Sequence, residues 1–351
     1  MKKTISFVLT ALIILTLCSC SKGDNTNYRN EEETFTNYLG GEGAFLNLAD
    51  YGNNFEDDIN IYLGYSIGTL KKINKKSKTY SVACAMPGCA HNNVSCKAYF
   101  SDKNYVVFNG SLIKILNEQI EKDDGTTYTQ GYLYCCDGKN EEMVFKNSVP
   151  DNLDSSLAEY TEPGIPWTHT VGEYLAVFCQ NYTYFLDKDF NIKYTVFDMG
   201  GAISAFCISG EIYYISNLYH LMKIDRETGA GLVVEPDGIR LTEGVSDGKK
   251  IWYSNDYREL CSYDPQTGDI SKYADEAVRL SIAGKYVEYM VYNVGEVYVL
   301  DTESGESSPW NDCDINDGFV YADGNYYTYS DTELAEYDEN LSRVNTYPLA
   351  D

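Results

Sequence analysis

One unit, repeated along the chain, constrains the fold more than any other feature. Its clearest copy spans residues 248–268: a Gly turn, an apolar run (251–253), a polar turn, a second run ending in Tyr263, and then Asp264-Pro-Gln-Thr-Gly268. The apolar runs have the length of strands and the Gly, Asp and Thr clusters are turn residues. Aligning the chain on the turn Asp places Asn74, Asp137, Asp187, Asp225, Asp264, Asp301 and Asp338 in one column, and the steps from Asp187 onward are 38, 39, 37 and 37 residues. A fixed period near 40 with several strands per period predicts an all-β fold, a β-propeller of seven four-stranded blades.

Two further columns test that expectation. Four residues before the turn stand Leu70, Leu133, Thr183, Leu221, Leu260, Val297 and Leu334, and one residue before it stand Ile73, Cys136, Leu186, Ile224, Tyr263, Leu300 and Tyr337. These positions lie on opposite faces of a strand, because side chains alternate with period two. Both columns are apolar apart from Thr183. An open antiparallel sheet keeps one face polar, whereas a blade packs a neighbour against each face. A β-sandwich with regular hairpins is the alternative, and it offers no shared register of this length.

The chain divides into three parts. Residues 1–19 carry Lys2, Lys3 and an apolar run (5–17), and read as an export signal too short for a stop-transfer helix. The end of that run, Leu17-Cys18-Ser19-Cys20, resembles a lipobox, with Cys20 as the lipidated residue and new N-terminus; an ordinary secretory cleavage nearby is the alternative. Residues 20–43 are polar, lack periodicity and read as a tether. Residues 44–351 hold the blades. The address that follows is the outer face of the cell membrane, through a lipid.

Charge agrees with export. There are 53 Asp and Glu against 27 Lys and Arg, a formal charge of -26 that becomes -28 once Lys2 and Lys3 leave with the signal. Such a field repels phosphate backbones, so nucleic acid is disfavoured as a partner. The 33 tyrosines suit strands and blade packing.

In blade order, the expected boundaries are 44–83, 104–147, 173–197, 202–234, 239–273, 278–310 and 315–349. Blade one is read from runs at 44–48, 59–65, 69–73 and 79–83. A charged loop inserted between strands at 119–129 lengthens blade two, and residues 149–169, rich in Pro, Asp and Ser, form a long loop carrying Trp167. Long loops in compact arrays are often functional, so Trp167 is the candidate ligand-binding residue and residues 149–169 one wall of a binding surface; a surface excursion is the competing reading.

One stretch carries a chemical constellation. Cys84, Cys89, His91 and Cys96 fall within thirteen residues at spacing C-x4-C-x-H-x4-C. A Cys3His set suits a closed tetrahedral zinc site, and a disulfide between two of the thiols is the competing staple in an exported protein. The remaining cysteines, at 135, 136, 179, 207, 261 and 313, read as small core hydrophobes. Asp312-x-Asp314-x-Asn316 has the look of a calcium loop without its closing Glu, and an inter-blade turn accounts for it better.

The cysteine stretch also resembles one found in a group of exported, lipid-anchored proteins of Gram-positive bacteria, in which Cys-x-x-Pro-x-Cys-x-His-x4-Cys follows the first of a series of TolB-like or YncE-like blades. Here the motif is carried by Cys84, Pro87, Cys89, His91 and Cys96, with Met86 where an Asp is commoner. The resemblance covers residues 44–350 and implies a propeller and a lipid anchor.

No Gly-x-Ser-x-Gly elbow or phosphate-binding loop is present, and His91, His169 and His220 are far apart in sequence. The functional expectation is a non-catalytic binding scaffold for a glycan, peptide or partner protein. The alternative is a polysaccharide-active enzyme with a carboxylate pair drawn from different blades.

Overall fold

The structure, a computed structural model, describes residues 44–49, 52–56, 59–64, 68–84, 88–90, 92, 98–100, 105–109, 111–136, 141–153, 155–158, 161–197, 202–216, 218–234, 240–313 and 318–350. The expected signal, Cys20 and the tether lie outside the described residues, as do His91, Cys96 and most of the Asp312–Gly318 turn.

Seven antiparallel meanders follow one another along the chain; six have four strands and the first has five. The innermost strands form a ring. Tyr105–Phe108, Trp167–Val171, Ala202–Ile208, Leu241–Ser246, Ala277–Ala283 and Gly318–Ala322 each lie against the next, and Gly52–Glu56 of blade one lies against both Gly318–Ala322 and Tyr105–Phe108. The fold is a seven-bladed β-propeller.

The two apolar columns explain why the blades stack. Leu221, Leu260, Val297 and Leu334 each pack into the core shared with the following blade, while Ile224, Tyr263, Leu300 and Tyr337 pack into the core shared with the preceding one. Alternation along one strand thus feeds two different cores. Each fully buried Leu, Ile or Val there contributes about 1.5–3 kcal/mol, and a ring of such cores needs no single central one. Thr183, the exception in its column, is still buried.

The turn column has an equally local cause. The Oδ1 atoms of Asp225 and Asp301 accept the backbone N–H groups two and three residues on, at 2.8–3.1 Å, and those of Asp187 and Asp338 accept the N–H groups two and four residues on, at 2.9 Å. Asn74 does the same with Lys76 and Ser77. These are Asx turns, so the repeated Asp is a hairpin device rather than a metal ligand. The hydrogen bonds from Asn191 and Asp189 hold the Asp187 carboxyl below its ordinary pKa, and those from Thr228 and Glu227 act likewise on Asp225.

Closure of the ring joins blades that are distant in sequence. Ile61, Leu63, Ile73 and Tyr80 of blade one share a core with Val320, Tyr327, Tyr329 and Leu334 of blade seven. Across the same seam the Tyr329 hydroxyl donates to Asn54 Oδ1 at 2.8 Å, Lys71 donates to the Ser330 carbonyl at 3.2 Å, and Lys78 pairs with Glu336 at 3.1 Å. Gly318 lies under the Tyr329 ring so closely that a Cβ would stand 2.1 Å from Cζ. Past the last strand, Arg343–Pro348, the chain bonds to blade one through Ala350 N–H and the Tyr80 carbonyl at 2.8 Å.

Four expectations need correction. Blade one holds two strands where one was expected: Ala44–Ala49 pairs inside Gly52–Glu56, a strand whose Gly-Asn-Asn-Phe-Glu composition gave no strand signal. Trp167 stands on the innermost strand of blade three, Trp167–Val171, and not on a loop; two prolines at 163 and 166 precede it and masked its β-branched alternation. The charged insertion of blade two continues the ladder, with Gln119 opposite Thr129 and Glu121 opposite Thr127. The described residues of 149–166 pack into the fold rather than forming a surface excursion. They carry a short helix, Ser155–Ala158, bury Leu153 and Ile165 in the core between blades two and three, and bond to Asn117 through both groups of Ile165 at 2.9 Å. Gly131 admits this segment, since a Cβ there would meet Ile165 Cγ1 at 2.5 Å.

Candidate ligand site at the channel mouth

The inner strands line a cavity of about 530 Å³ that reaches from Trp167, the first residue of its strand, to the hairpins at the other end of these strands. Its walls are Trp167, His169 and Thr170 of blade three, Ser204 to Cys207 of blade four and Gly244 to Gly248 of blade five, with Gly284 and Tyr321 of blades six and seven at the rim. Residues from five blades meet there. Gly172, Asp247 and Gly284 belong to hairpins that join a first strand to a second, so this mouth is the face at which the inner strands end.

Aromatic side chains set its chemistry. Trp167 is half-buried and stacks on Phe178, with ring centroids 3.6 Å apart and planes 4° from parallel. The His169 ring stands edge-on to it at 6.4 Å. Tyr321 is 39% exposed and leans on Tyr326 at 4.7 Å, while Phe206 is buried. Such stacked rings are held at low entropic cost and offer flat apolar faces.

The mouth is electrically quiet in an otherwise acidic molecule. Desolvation lowers the His169 pKa to about 4, so the ring is neutral under ordinary conditions. The residue is half-buried, and burial outweighs the contact with solvent that it keeps. Asp247 is the one carboxyl among the described lining residues, and its oxygens accept the N–H groups of Lys249 at 2.8 Å and Lys250 at 2.7 Å and the Trp252 Nε1–H at 3.0 Å. One strand position away from the mouth lining, Glu243 accepts the Arg279 N–H, and burial raises its pKa. Cys207 lies on the wall with its thiol pushed up by burial.

The cysteine stretch is a separate structure. Leu70 holds both ends of it: its carbonyl accepts Ala83 N–H and its N–H donates to the Ala98 carbonyl, both at 2.8 Å. A two-stranded sheet, Gly68–Thr69 with Tyr99–Phe100, closes the base. Cys84 and Cys89 are half-buried thiols in this closed loop, while His91 and Cys96 lie outside the described residues. Among the remaining cysteines, Cys179 and Cys261 are buried, and burial raises their pKa values to about 12 and about 11. They are unreactive core residues at neutral pH, as the sequence suggested.

Among solved structures the chain resembles BamB from Moraxella catarrhalis, with 10% identity over 88% of this chain and 90% of that one and a TM-score of 0.46. It also resembles the computationally designed Ika8 protein, with 8% identity over 87% and 88% and a TM-score of 0.51. At such identities the likeness is one of fold. No family model matches the chain, and no curated protein matches it.

Proposed function

We propose that this propeller is a non-catalytic binding protein, displayed on the outer face of the cell membrane through a lipid on Cys20, and that its ligand enters the channel mouth against Trp167. The observation that carries this reading is the mouth itself: a preformed cavity of 530 Å³, within the usual range for ligand sites, walled by rings. Its lining supports binding over glycoside chemistry, because a carboxylate pair is what hydrolysis of a glycosidic bond needs and Asp247 is already spent on its own hairpin.

Fluorescence tests the site directly. Trp252 and Trp310 are buried, at 1% and 5% exposure, so ligand-dependent emission reports on Trp167. Titration with candidate peptides or oligosaccharides is expected to shift that emission, and Trp167→Ala is expected to weaken binding by about tenfold or more, as loss of a central aromatic anchor does. Unchanged affinity in Trp167→Ala would remove the mouth as the site.

The anchor is tested by fractionation. Diacylation of Cys20 supplies the two chains that stable membrane attachment requires, so Cys20→Ala is expected to move the protein from the membrane to the soluble fraction. A variant that stays with the membrane would refute the lipid reading.

For the cysteine loop we favour zinc held by Cys84, Cys89, His91 and Cys96. The support is a loop whose two ends meet at Leu70, which a single ion can fill. Metal analysis is expected to find about one zinc per chain, lost in His91→Ala. An oxidised cysteine pair by mass, with no metal, would establish the disulfide in its place.

A further inference from the structure

The hairpins that join a second strand to a third lie on one face of the propeller, the face at which the inner strands begin. Among those described, the tips in blades two, three and seven are polar: Asp123 and Asp124, Gln180 and Asn181, Asp331 and Thr332. The tips in blades four, five and six differ. They carry Leu218 and Tyr219, Tyr257, and Tyr292 and Val294, all exposed, Tyr257 to 69% and Val294 to 64%. Large apolar side chains scattered singly on a surface are ordinary, whereas a contiguous set marks a place of contact.

This set is contiguous because the same splice joins each blade to the next. The Tyr219 carbonyl accepts Leu241 N–H at 2.8 Å and the Arg240 carbonyl accepts Asp256 N–H at 2.9 Å, so the crossing between blades four and five ties their hairpins together. One blade further on, the Arg258 carbonyl accepts Ala277 N–H and the Glu276 carbonyl accepts Tyr292 N–H, both at 2.7 Å. The Arg258 guanidinium then lies over the Tyr292 ring, 3.5 Å from its centroid, and pairs with Glu276 at 3.3 Å. The tips are also fixed in themselves. Asn255 Oδ1 accepts the N–H groups of Tyr257 at 3.0 Å and Glu259 at 2.9 Å. Tyr219 and Arg258 occupy the left-handed position of their turns, with φ of 67° and 60°, where Gly is the usual residue. Tyrosine and arginine are the residues that protein-binding hot spots favour, and holding them in place beforehand lowers the entropic cost of binding.

Charge selects the partner. Asp256, Asp275, Glu276 and Glu296 stand in these hairpins and crossings. Two bases there are already paired, Arg258 with Glu276 and Lys272 with Glu259 and Asp275, the latter two at 2.6 Å; Arg240 is exposed next to Asp256. The ridge is thus apolar along its crest and acidic on its flanks, in a chain of net charge -26. A second copy would bring the same acids against themselves, and an anionic membrane would be repelled likewise, whereas a cationic segment is attracted.

We propose that this ridge across blades four, five and six is a docking surface for a partner protein, which offers it an apolar segment flanked by lysine or arginine. It shares no residue with the channel lining, so it is a second interaction site.

The test uses the soluble protein from Ser21 onward as the target for phage-displayed random peptides, with the Tyr257→Ser/Val294→Ser double variant for counter-selection. The surviving peptides are expected to combine apolar residues with Lys or Arg. Their affinity is expected to fall by about tenfold or more in each single variant, as loss of an anchoring side chain does. It is also expected to fall severalfold between about 0.1 M and about 1 M salt, as the Debye length shortens from about 10 Å to about 3 Å. Both side chains are exposed and the turn at Tyr257 is held through its backbone, so the variants are expected to keep the natural urea midpoint. Should either misfold, Leu218→Ser on blade four reads the same outcomes. The proposal is overturned if no peptides distinguish the natural protein from the double variant, or if those that do are neutral or acidic. Peptides lost in Trp167→Ala but kept in both surface variants would be channel ligands and would overturn it too. So would a natural protein that sediments as a dimer while the double variant is a monomer, since a second copy would then cover the ridge. Binding to phosphatidylglycerol vesicles that is lost in Tyr257→Ser would assign the ridge to the membrane instead.

Discussion

Tyr329→Ala is expected to destabilise the whole propeller by about 3–5 kcal/mol, the cost of emptying a fully buried aromatic site. The ring of Tyr329 is 1% exposed and packs with Ile61, Leu63 and Tyr80 of blade one and Val320 and Leu334 of blade seven. Its hydroxyl donates to Asn54 Oδ1, which also receives the Gly64 N–H at 3.1 Å. The residue therefore joins the first and last blades by packing and by a buried hydrogen bond. A seam between distant parts of a chain carries the loop-closure entropy of the ring, so its loss is felt by every blade. Tyr329→Phe separates the two contributions: it keeps the ring and removes the hydrogen bond, and is expected to cost about 1–2 kcal/mol. Urea unfolding of the three proteins measures both. A loss below about 1 kcal/mol in Tyr329→Ala would show that the seam is not where the ring is held.

The seam also shows what sequence reasoning reaches. Leu334 and Ile73 stand in aligned columns, and their burial at a blade interface follows from alternation and period alone. The Asp column is equally readable, because an Asx turn is made within five residues. The same local logic fails for the innermost strands. Those of blades one and three carry Asn, Thr and His where a strand signal wants apolar alternation, and Asn54 is buried all the same because the Tyr329 hydroxyl and the Gly64 N–H bond to it. Their polar faces made Gly52–Glu56 invisible and consigned Trp167 to a loop. Trp167 was singled out for its ring and its neighbourhood, and the structure does place it at a cavity, but beside His169, Phe206 and Tyr321. No motif could have grouped these residues. They come from three different blades, and only closure of the ring brings them together.

His169 should make the protein acid-sensitive. Desolvation lowers its pKa from 6.5 to about 4 in the folded state, so between those values the unfolded chain holds a proton that the folded chain does not. Stability then rises with pH across that window, is fully present above about pH 6.5, and is lost as the pH falls toward about 4. At about 1.4 kcal/mol per pKa unit the full separation corresponds to about 3 kcal/mol, and the partial exposure of His169 reduces this to about 2 kcal/mol. Glu243 works in the opposite sense, because burial raises its pKa and its contribution is lost as the pH rises. The two must be separated by difference: unfolding free energies of the natural protein and of His169→Gln, each measured near pH 5 and near pH 7.5, are expected to diverge by about 1–2 kcal/mol more at the lower value. Parallel curves would mean that His169 is hydrated. The same proton bears on function, because an imidazolium beside Trp167 places a hydrated cation in a site walled by aromatic rings. Ligand affinity at the mouth is therefore expected to fall with pH through the same window in the natural protein, and to stay flat in His169→Gln.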